Sequence, residues 1–200
     1  MSATAKIKEA GLAAVLLTAS ALPAYAHVGM GATSSSSFIA GFIHPFLGLD
    51  HVTVMIAVGL WAALKGGKAI WAWPAAFVGV MLAGGALGML HVPVPLVEPG
   101  ILASVVVLGI LVALAVNLPV AAGIAVIGLM ALLHGHAHGS EIPENAPGLE
   151  YMAGFALATL MLHGIGIAAG CGFGPKLRNF VPAAGAACAA IGVSLAFGMI

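Results

Sequence analysis

Long apolar segments separated by short polar stretches dominate this sequence and limit what it can fold into. Most of these segments approach the roughly 20 residues that an α-helix needs to cross a bilayer. Only 6% of the residues are charged, whereas a soluble domain carries about 25%. We therefore expect an all-α, polytopic membrane bundle of six transmembrane helices. The predicted spans are residues 45–64, 70–90, 99–116, 119–134, 149–170 and 180–200.

The N-terminal residues have the three parts of a secretory signal peptide. Two lysines form a positively charged start, an apolar stretch follows, and residues 24–26 are Ala-Tyr-Ala, which matches the A-x-A cleavage pattern. We therefore expect residues 1–26 to be removed and residues 27–200 to form the membrane domain, with His27 as its first residue. The alternative is that this segment stays attached as an uncleaved first helix.

The basic residues predict how the spans are oriented. If the signal peptide is exported, residue 27 lies outside and every second loop of a six-span bundle lies in the cytoplasm. All basic residues of the mature chain fall in those loops, as the positive-inside rule requires: Lys65, Lys68, Lys176 and Arg178. The expected location is the bacterial inner membrane, with a periplasmic or extracellular mature N-terminus. Without a basic excess, a nucleic-acid partner is not expected.

The stretch that begins at His44 is the most informative for function. Its sequence is His-Pro-Phe-Leu-Gly-Leu-Asp-His. Proline suits the first turn of a helix and disfavours helical backbone in the preceding residue, so we expect the first span to begin at Pro45, with His44 at its outer lip. Asp50 and His51 would then lie about 8–9 Å inside the helix. Gly48 would leave space beside His51 for an ion or a water molecule.

An acidic side chain inside a membrane needs a partner, because a charge at that depth is costly. No basic side chain lies in any predicted span to pair with Asp50, so a cation is its simplest partner. Imidazole and carboxylate ligands together suit divalent metals such as Ni, Zn and Fe. The alternative is a structural role, in which Asp50 hydrogen-bonds His51 or another helix.

A second group of histidines lies at the C-terminal end of the fourth predicted span. Residues 134–141 are His-Gly-His-Ala-His-Gly-Ser-Glu, and short histidine-rich tracts are typical of metal binding. An extended backbone would place the imidazoles of His134, His136 and His138 on one side. A helix would keep only His134 and His138 together. We expect the tract on the outer side with His44; the alternative is a solvated loop without ligands.

Two more histidines are candidate ligands. His163 lies near the middle of the fifth predicted span without a charged neighbour in sequence, where a lone histidine is more often part of the core. The nearby Asp50–His51 pair favours a ligand role for it. His27, once freed by cleavage, would offer its α-amine and its imidazole to one ion; the alternative is an ordinary flexible terminus.

These motifs resemble the signature of the HupE/UreJ family of nickel (metal) permeases. The resemblance extends over nearly the whole mature chain and is carried by the run from His44 to Met55, the tract at 134–141 and residues 156–163. It implies a permease that imports a divalent transition metal, above all Ni²⁺, for hydrogenase or urease maturation. Co²⁺ or Zn²⁺ are the alternatives as transported ion, and no prosthetic group is expected.

The resemblance implies that His44, Asp50 and His51 carry the essential metal function. Residues and resemblance together give this set of candidate metal ligands: His27, His44, Asp50, His51, His134, His136, His138, Glu141 and His163. The expected partners are the metal ion, the lipid bilayer and, by the resemblance, hydrogenase or urease maturation proteins.

Two other classes of function are alternatives to a permease. An intramembrane metalloprotease needs an H-E-x-x-H helix, and the sequence contains none, so an enzyme is not expected. A non-transporting membrane protein that binds metal as an accessory or a sensor would show binding without uptake. The sequence also lacks a P-loop, so transport would not be powered by ATP. Facilitated diffusion and secondary transport both remain open.

Overall fold

Seven α-helices make up the part of the chain that the structure describes. The structure is a computed structural model that describes residues 34–142, 146–172 and 180–200, and these residues contain no β-strand. The all-α class is therefore confirmed for them, whereas the predicted signal peptide and His27 lie outside the described residues. The helices are α1 (Ser34–Leu47), α2 (Leu49–Lys65), α3 (Ala69–Met89), α4 (Val97–Ala113), α5 (Val120–Glu141), α6 (Gly148–Gly172) and α7 (Phe180–Ala196).

The start of the first predicted span is wrong. Pro45 lies inside α1, and the chain turns by 81° between Ser37–Leu47 and Leu49–Lys65. Proline near the end of a helix removes only one backbone hydrogen bond, so α1 continues past it. The break falls instead at Gly48, whose backbone is extended (φ −97°, ψ 122°). Asp50 and His51 therefore lie in the first turn of α2, not about two turns inside a continuous helix.

The histidine tract is helical. The fourth span was predicted to end at residue 134, but α5 continues to Glu141. Of the two backbone conformations that the sequence left open, the helix is observed, and it contains all of residues 134–141. The preceding connection is longer than predicted, because α4 ends at Ala113 and α5 begins at Val120.

Helix length and composition identify a membrane protein but give fewer spans than the six predicted. Within the described residues, three helices are each long and apolar enough to cross a bilayer, namely α3, α5 and α6. The bent pair of α1 and α2 meets the same criterion when taken together. The apolar helices α4 and α7 have 17 residues each. Seventeen residues give about 25 Å of helix, less than the roughly 30 Å hydrocarbon core.

Facing glycines bring the helices together in pairs. In α3 and α5, a Cβ atom added to Gly84 or Gly135 would overlap the backbone of the partner helix. Small residues allow such close backbone approach in membrane bundles. Gly164 of α6 does not have this role, because it faces open space. The other facing pairs are Gly41 and Gly154 (α1–α6), Gly59 and Gly166 (α2–α6), and Gly109 and Gly185 (α4–α7).

The two ends of the bundle carry different side chains. At one end, the Lys65 ammonium donates a hydrogen bond to Asn117 Oδ1 at 2.6 Å, which joins the α2–α3 and α4–α5 connections. The indole N–H groups of Trp61 and Trp73 donate to backbone carbonyls beside the same connection. We call this the lysine end. The opposite end, where α2 and α6 begin and α5 finishes, contains most of the histidines and is called the histidine end.

Candidate metal site

Three imidazoles meet at the histidine end, where α1 bends into α2. His44 lies in the last turn of α1, His51 near the start of α2, and His138 in the last turn of α5. One ring nitrogen of each lies within 4.8 Å of the other two. The ring centroids are 4.4 Å apart for His51 and His138, and 4.6 Å apart for His44 and His138. One small ion could therefore contact all three side chains, which we call the histidine cluster.

The bend at Gly48 brings His44 and His51 together. In a straight helix, seven residues would separate the two side chains by about 10 Å along the axis, whereas their ring centroids are 5.6 Å apart. A Cβ atom at Gly48 would lie 2.7 Å from Asp50 Oδ1 and would overlap the His51 ring. The sequence predicted that the missing side chain would leave room for an ion or a water molecule. In the structure, that room is taken by the Asp50–His51 pair itself.

Asp50 lies behind His51 and fixes the orientation of its ring. The Nδ1–H group of His51 donates a hydrogen bond to Asp50 Oδ1 at 2.5 Å. A carboxylate accepts but does not donate, so in neutral His51 the proton is on Nδ1 and the lone pair is on Nε2. Carboxylates that support metal-binding histidines make this contact. Asp50 is therefore placed to support a ligand, and it is not one of the three residues whose ligand atoms converge.

His138 also has a carboxylate near its Nδ1, but without a hydrogen bond to it. Its Nδ1 lies 3.4 Å from Glu141 Oε2, one turn further along α5, and its Nε2 contacts Nε2 of His51. The negative charges of Asp50 and Glu141 both favour a proton on the Nδ1 side of the neighbouring ring. The Nε2 atoms of His51 and His138 face each other, and a proton or a cation between them would satisfy both nitrogens.

His134 extends the group toward the interior. It lies one turn before His138 on α5, is fully buried, and has its ring centroid 5.8 Å from that of His51. Its Nδ1–H donates to the Met130 carbonyl oxygen at 3.0 Å, which leaves the lone pair on Nε2. That nitrogen has no hydrogen-bond partner among the described residues. His134 is therefore a neutral nitrogen donor immediately below the histidine cluster.

The remaining candidates lie outside the cluster. His136 lies on another side of α5, where its Nε2–H donates to the Val92 carbonyl oxygen at 2.7 Å. The helix thus keeps only His134 and His138 on one face, the second of the two arrangements considered from sequence. Glu141 is largely exposed and contacts the cluster only through His138. His163 is buried deeper in α6 and is not part of the cluster.

Two aromatic residues of α6 line the cluster, and the sequence had not indicated either. The Phe155 ring lies 4.6 Å from the His138 ring and is fully buried. The Tyr151 ring lies 6.0 Å from that of His44. The only sequence signal is their four-residue spacing with Thr159 and His163, which places all four on one face of a helix. These rings limit water around the imidazoles on the side of α6.

Exposure around the cluster increases toward the histidine end of the bundle. His51 exposes 9% of its side chain and Asp50 exposes 23%, while His44 is half-buried. Below them, His134 and Phe155 are fully buried. Among these residues, Asp50 and His44 are therefore nearest the surface, whereas His51 and His138 are buried.

Comparison with known proteins identifies similar sequences. A family model described as HupE / UreJ protein matches residues 14–195. Protein HupE of Rhizobium leguminosarum bv. viciae is 45% identical over 185 residues, which are 91% of this chain and 95% of that protein. No solved structure matches the chain. The family match includes α1 to α6 in full, and therefore every residue of the histidine cluster.

Proposed function

Because this chain belongs to the HupE/UreJ family, we propose that it is an inner-membrane permease that imports a divalent transition metal, with Ni²⁺ as the preferred ion. The family is membrane-associated and is implicated in nickel or metal transport for hydrogenase and urease. The imported ion would supply the maturation of such an enzyme. Co²⁺ is the closest alternative, followed by Zn²⁺.

The facing Nε2 atoms of His51 and His138, together with His44, are the observation that carries this proposal. Two facing ring nitrogens can share one cation, and the carboxylates of Asp50 and Glu141 add negative charge behind them. Nitrogen ligands suit Ni²⁺, Co²⁺ and Zn²⁺, whereas Mg²⁺ and Ca²⁺ are bound through oxygen. The chemistry of the cluster therefore favours a transition metal over an alkaline-earth ion.

The proposed topology has six spans, α2 to α7. The two 17-residue helices α4 and α7 pack against each other through facing glycines, and a short span is accommodated by local thinning of the bilayer. If α2 crosses the membrane, the 81° bend leaves α1 close to the membrane plane. Its exposed apolar side chains, such as Ile39 and Phe46, suit an amphipathic position at the interface.

This topology places the histidine cluster on the periplasmic or extracellular side. The lysine end would face the cytoplasm, as the positive-inside rule requires, because Lys65 and Lys68 lie there. The ion would be captured from outside at the exposed edge of the cluster, near Asp50 and Glu141. Three imidazole ligands, with other positions open to water, can bind an ion and still release it, which conduction requires.

Uptake of radioactive Ni²⁺ by proteoliposomes tests this function. We expect time-dependent uptake by the wild type and background uptake by His51→Ala. The matched control is His91→Ala, which removes an exposed histidine at the same end of the bundle that lies outside the cluster. This control should transport like the wild type. Competition with Co²⁺, Zn²⁺ and Mg²⁺ in the same assay would give the order of preference.

Two results would contradict the proposal in different ways. Ni²⁺ binding by the purified wild type without any uptake would identify a non-transporting accessory protein. Equal uptake by the wild type and by His51→Ala would show transport that does not use the histidine cluster.

A further inference from the structure

His163 is an unpaired polar side chain deep inside the bundle. It is 1% exposed, and neither ring nitrogen has a hydrogen-bond partner among the described residues. Buried polar groups are nearly always hydrogen-bonded, because an unpaired one keeps the full cost of leaving water. His163 follows Phe155 by eight residues, so it lies about 12 Å further along α6 from the histidine cluster. An imidazole at this position lacks the partner that its chemistry requires.

One aromatic ring neighbours both His163 and His134. Phe77 of α3 is fully buried. Its ring centroid lies 6.0 Å from that of His134 and 5.0 Å from that of His163, with the His163 ring in an edge contact. The rings that carry the unpaired Nε2 of His134 and the unpaired nitrogens of His163 therefore both contact one phenyl group.

The groups around Phe77 are suited to an ion that exchanges ligands. Met81 lies one turn along α3 from Phe77, and Thr159 lies one turn before His163 on α6. The Thr159 hydroxyl donates to the Met81 sulfur at 3.7 Å, and both residues are fully buried. A thioether is a soft metal ligand, and a hydroxyl offers oxygen lone pairs. The core between the cluster and His163 thus contains donor atoms as well as hydrocarbon.

Toward the lysine end, packed indoles close the core below this region. Trp73 lies one turn before Phe77 on α3, and its ring centroid is 4.4 Å from that of Trp61. Both tryptophans are fully buried, and both indole N–H groups are hydrogen-bonded to backbone carbonyls. Unlike the ring nitrogens of His163, the indole N–H groups therefore have hydrogen-bond partners.

We propose that His163 is a second binding position for the transported ion and that the Phe77 ring is the gate between it and the histidine cluster. This inference rests on the transport function proposed above. The ion, a divalent transition metal of the kind that imidazole binds, would pass from Nε2 of His134 to His163 when the Phe77 ring turns aside. Binding at two successive positions is a general way to make an ion enter a path and still leave it.

The variant His163→Leu tests the second position, because leucine fills a similar volume without donor atoms. No hydrogen bond is lost, so we expect it to melt at or above the wild-type temperature and to bind Ni²⁺ at the cluster with wild-type affinity. Its uptake rate should fall by at least the roughly tenfold that follows loss of a group that only supports a metal ligand. The half-saturating Ni²⁺ concentration should not change, since capture takes place at the cluster.

The possible results distinguish a failure of the second binding position from a failure of the proposed permease function. If the wild type shows no uptake, the proposed permease function is contradicted. That result is distinct from a failure of His163 as a second binding position, which requires uptake by the wild type. Wild-type uptake that His163→Leu leaves unchanged would overturn the second position. A parallel loss of Ni²⁺ affinity at the cluster would show that His163 supports packing, and it would also overturn the second position. Loss of the folded protein in both His163→Leu and His163→Met would have the same meaning.

The gate is tested by shrinking the ring in two steps, Phe77→Leu and Phe77→Ala. We expect the uptake rate to rise from wild type to leucine to alanine, while Ni²⁺ binding at the cluster stays the same. Rates that do not rise would overturn the role of Phe77 as a gate. Loss of cluster binding in both variants would do so as well, because it would show that the ring only holds the helices together.

Discussion

Replacing Asp50 by asparagine isolates the effect of a negative charge placed behind a metal-binding imidazole. Asparagine has the same size, and its amide oxygen can still accept the hydrogen bond that His51 Nδ1 donates to Asp50 at 2.5 Å. The ring therefore keeps its orientation, and only the charge is removed. If Asp50 supports His51 without touching the ion, Asp50→Asn should weaken Ni²⁺ binding but not abolish it.

The size of the effect follows from the contact. Loss of a group that orients a metal-binding histidine typically costs about 10- to 100-fold in metal affinity, which corresponds to about 1.4 to 2.7 kcal/mol. The retained hydrogen bond changes from one to a charged group, about 1.5 to 3 kcal/mol, to one between neutral groups, about 0.5 to 1.5 kcal/mol, which is a loss of about 1 kcal/mol. The partial exposure of Asp50, 23% of its side chain, favours the lower half of the affinity range, because solvent screens the charge.

Equilibrium Ni²⁺ binding to the purified protein, measured against a chelator of known affinity, gives this number directly. Glu98→Gln is the matched control, since it removes one exposed negative charge at the same end of the bundle, outside the converging set of ligands. We expect this control to bind like the wild type. An affinity unchanged in Asp50→Asn would refute the supporting role. A loss as complete as that of His51→Ala would show that Asp50 is itself a ligand.

Three further predictions test the geometry of the site. His138→Ala should abolish Ni²⁺ uptake while His136→Ala should retain most of it, because only His138 faces the cluster; equal loss in both would contradict the helical tract. Gly135→Ala should destabilise the protein by about 1–3 kcal/mol, since a Cβ there would overlap the Met81 carbonyl group, and a thermal unfolding midpoint equal to wild type would refute this contact. Uptake should decrease when the external solution is made sufficiently acidic, because protonated imidazole cannot bind metal; uptake that rises with acid would indicate coupling to protons instead.

For the histidine tract, the sequence predicted which histidines share a face of a helix, and the structure showed that the tract is a helix. The four-residue spacing of His134 and His138 places them on one face of any α-helix, and this could be stated from sequence alone. Whether the tract is helical could not be stated, because two of its residues are glycines, at 135 and 139, and glycine does not favour a helix. The packing of Gly135 and Gly139 against the α3 backbone favours the helix up to Glu141.

The bend at Gly48 shows where sequence reasoning failed. Pro45 was a reasonable helix start, since proline is common in the first turn. The backbone instead breaks three residues later, where a glycine leaves room for the Asp50–His51 pair. The contact between these side chains was considered from sequence only as an alternative to metal binding. The structure suggests that the two roles are compatible, with Asp50 behind His51.

The sequence by itself determined the class of this protein, because hydrophobic segments long enough for a bilayer and scarce charge are properties of composition and order along the chain. It also determined which side chains could bind a metal. Only the tertiary structure decided which of them meet, because His44, His51 and His138 come from three different helices. Their convergence depends on an 81° bend and on close glycine contacts, and such contacts between distant residues leave no periodic signal in the sequence.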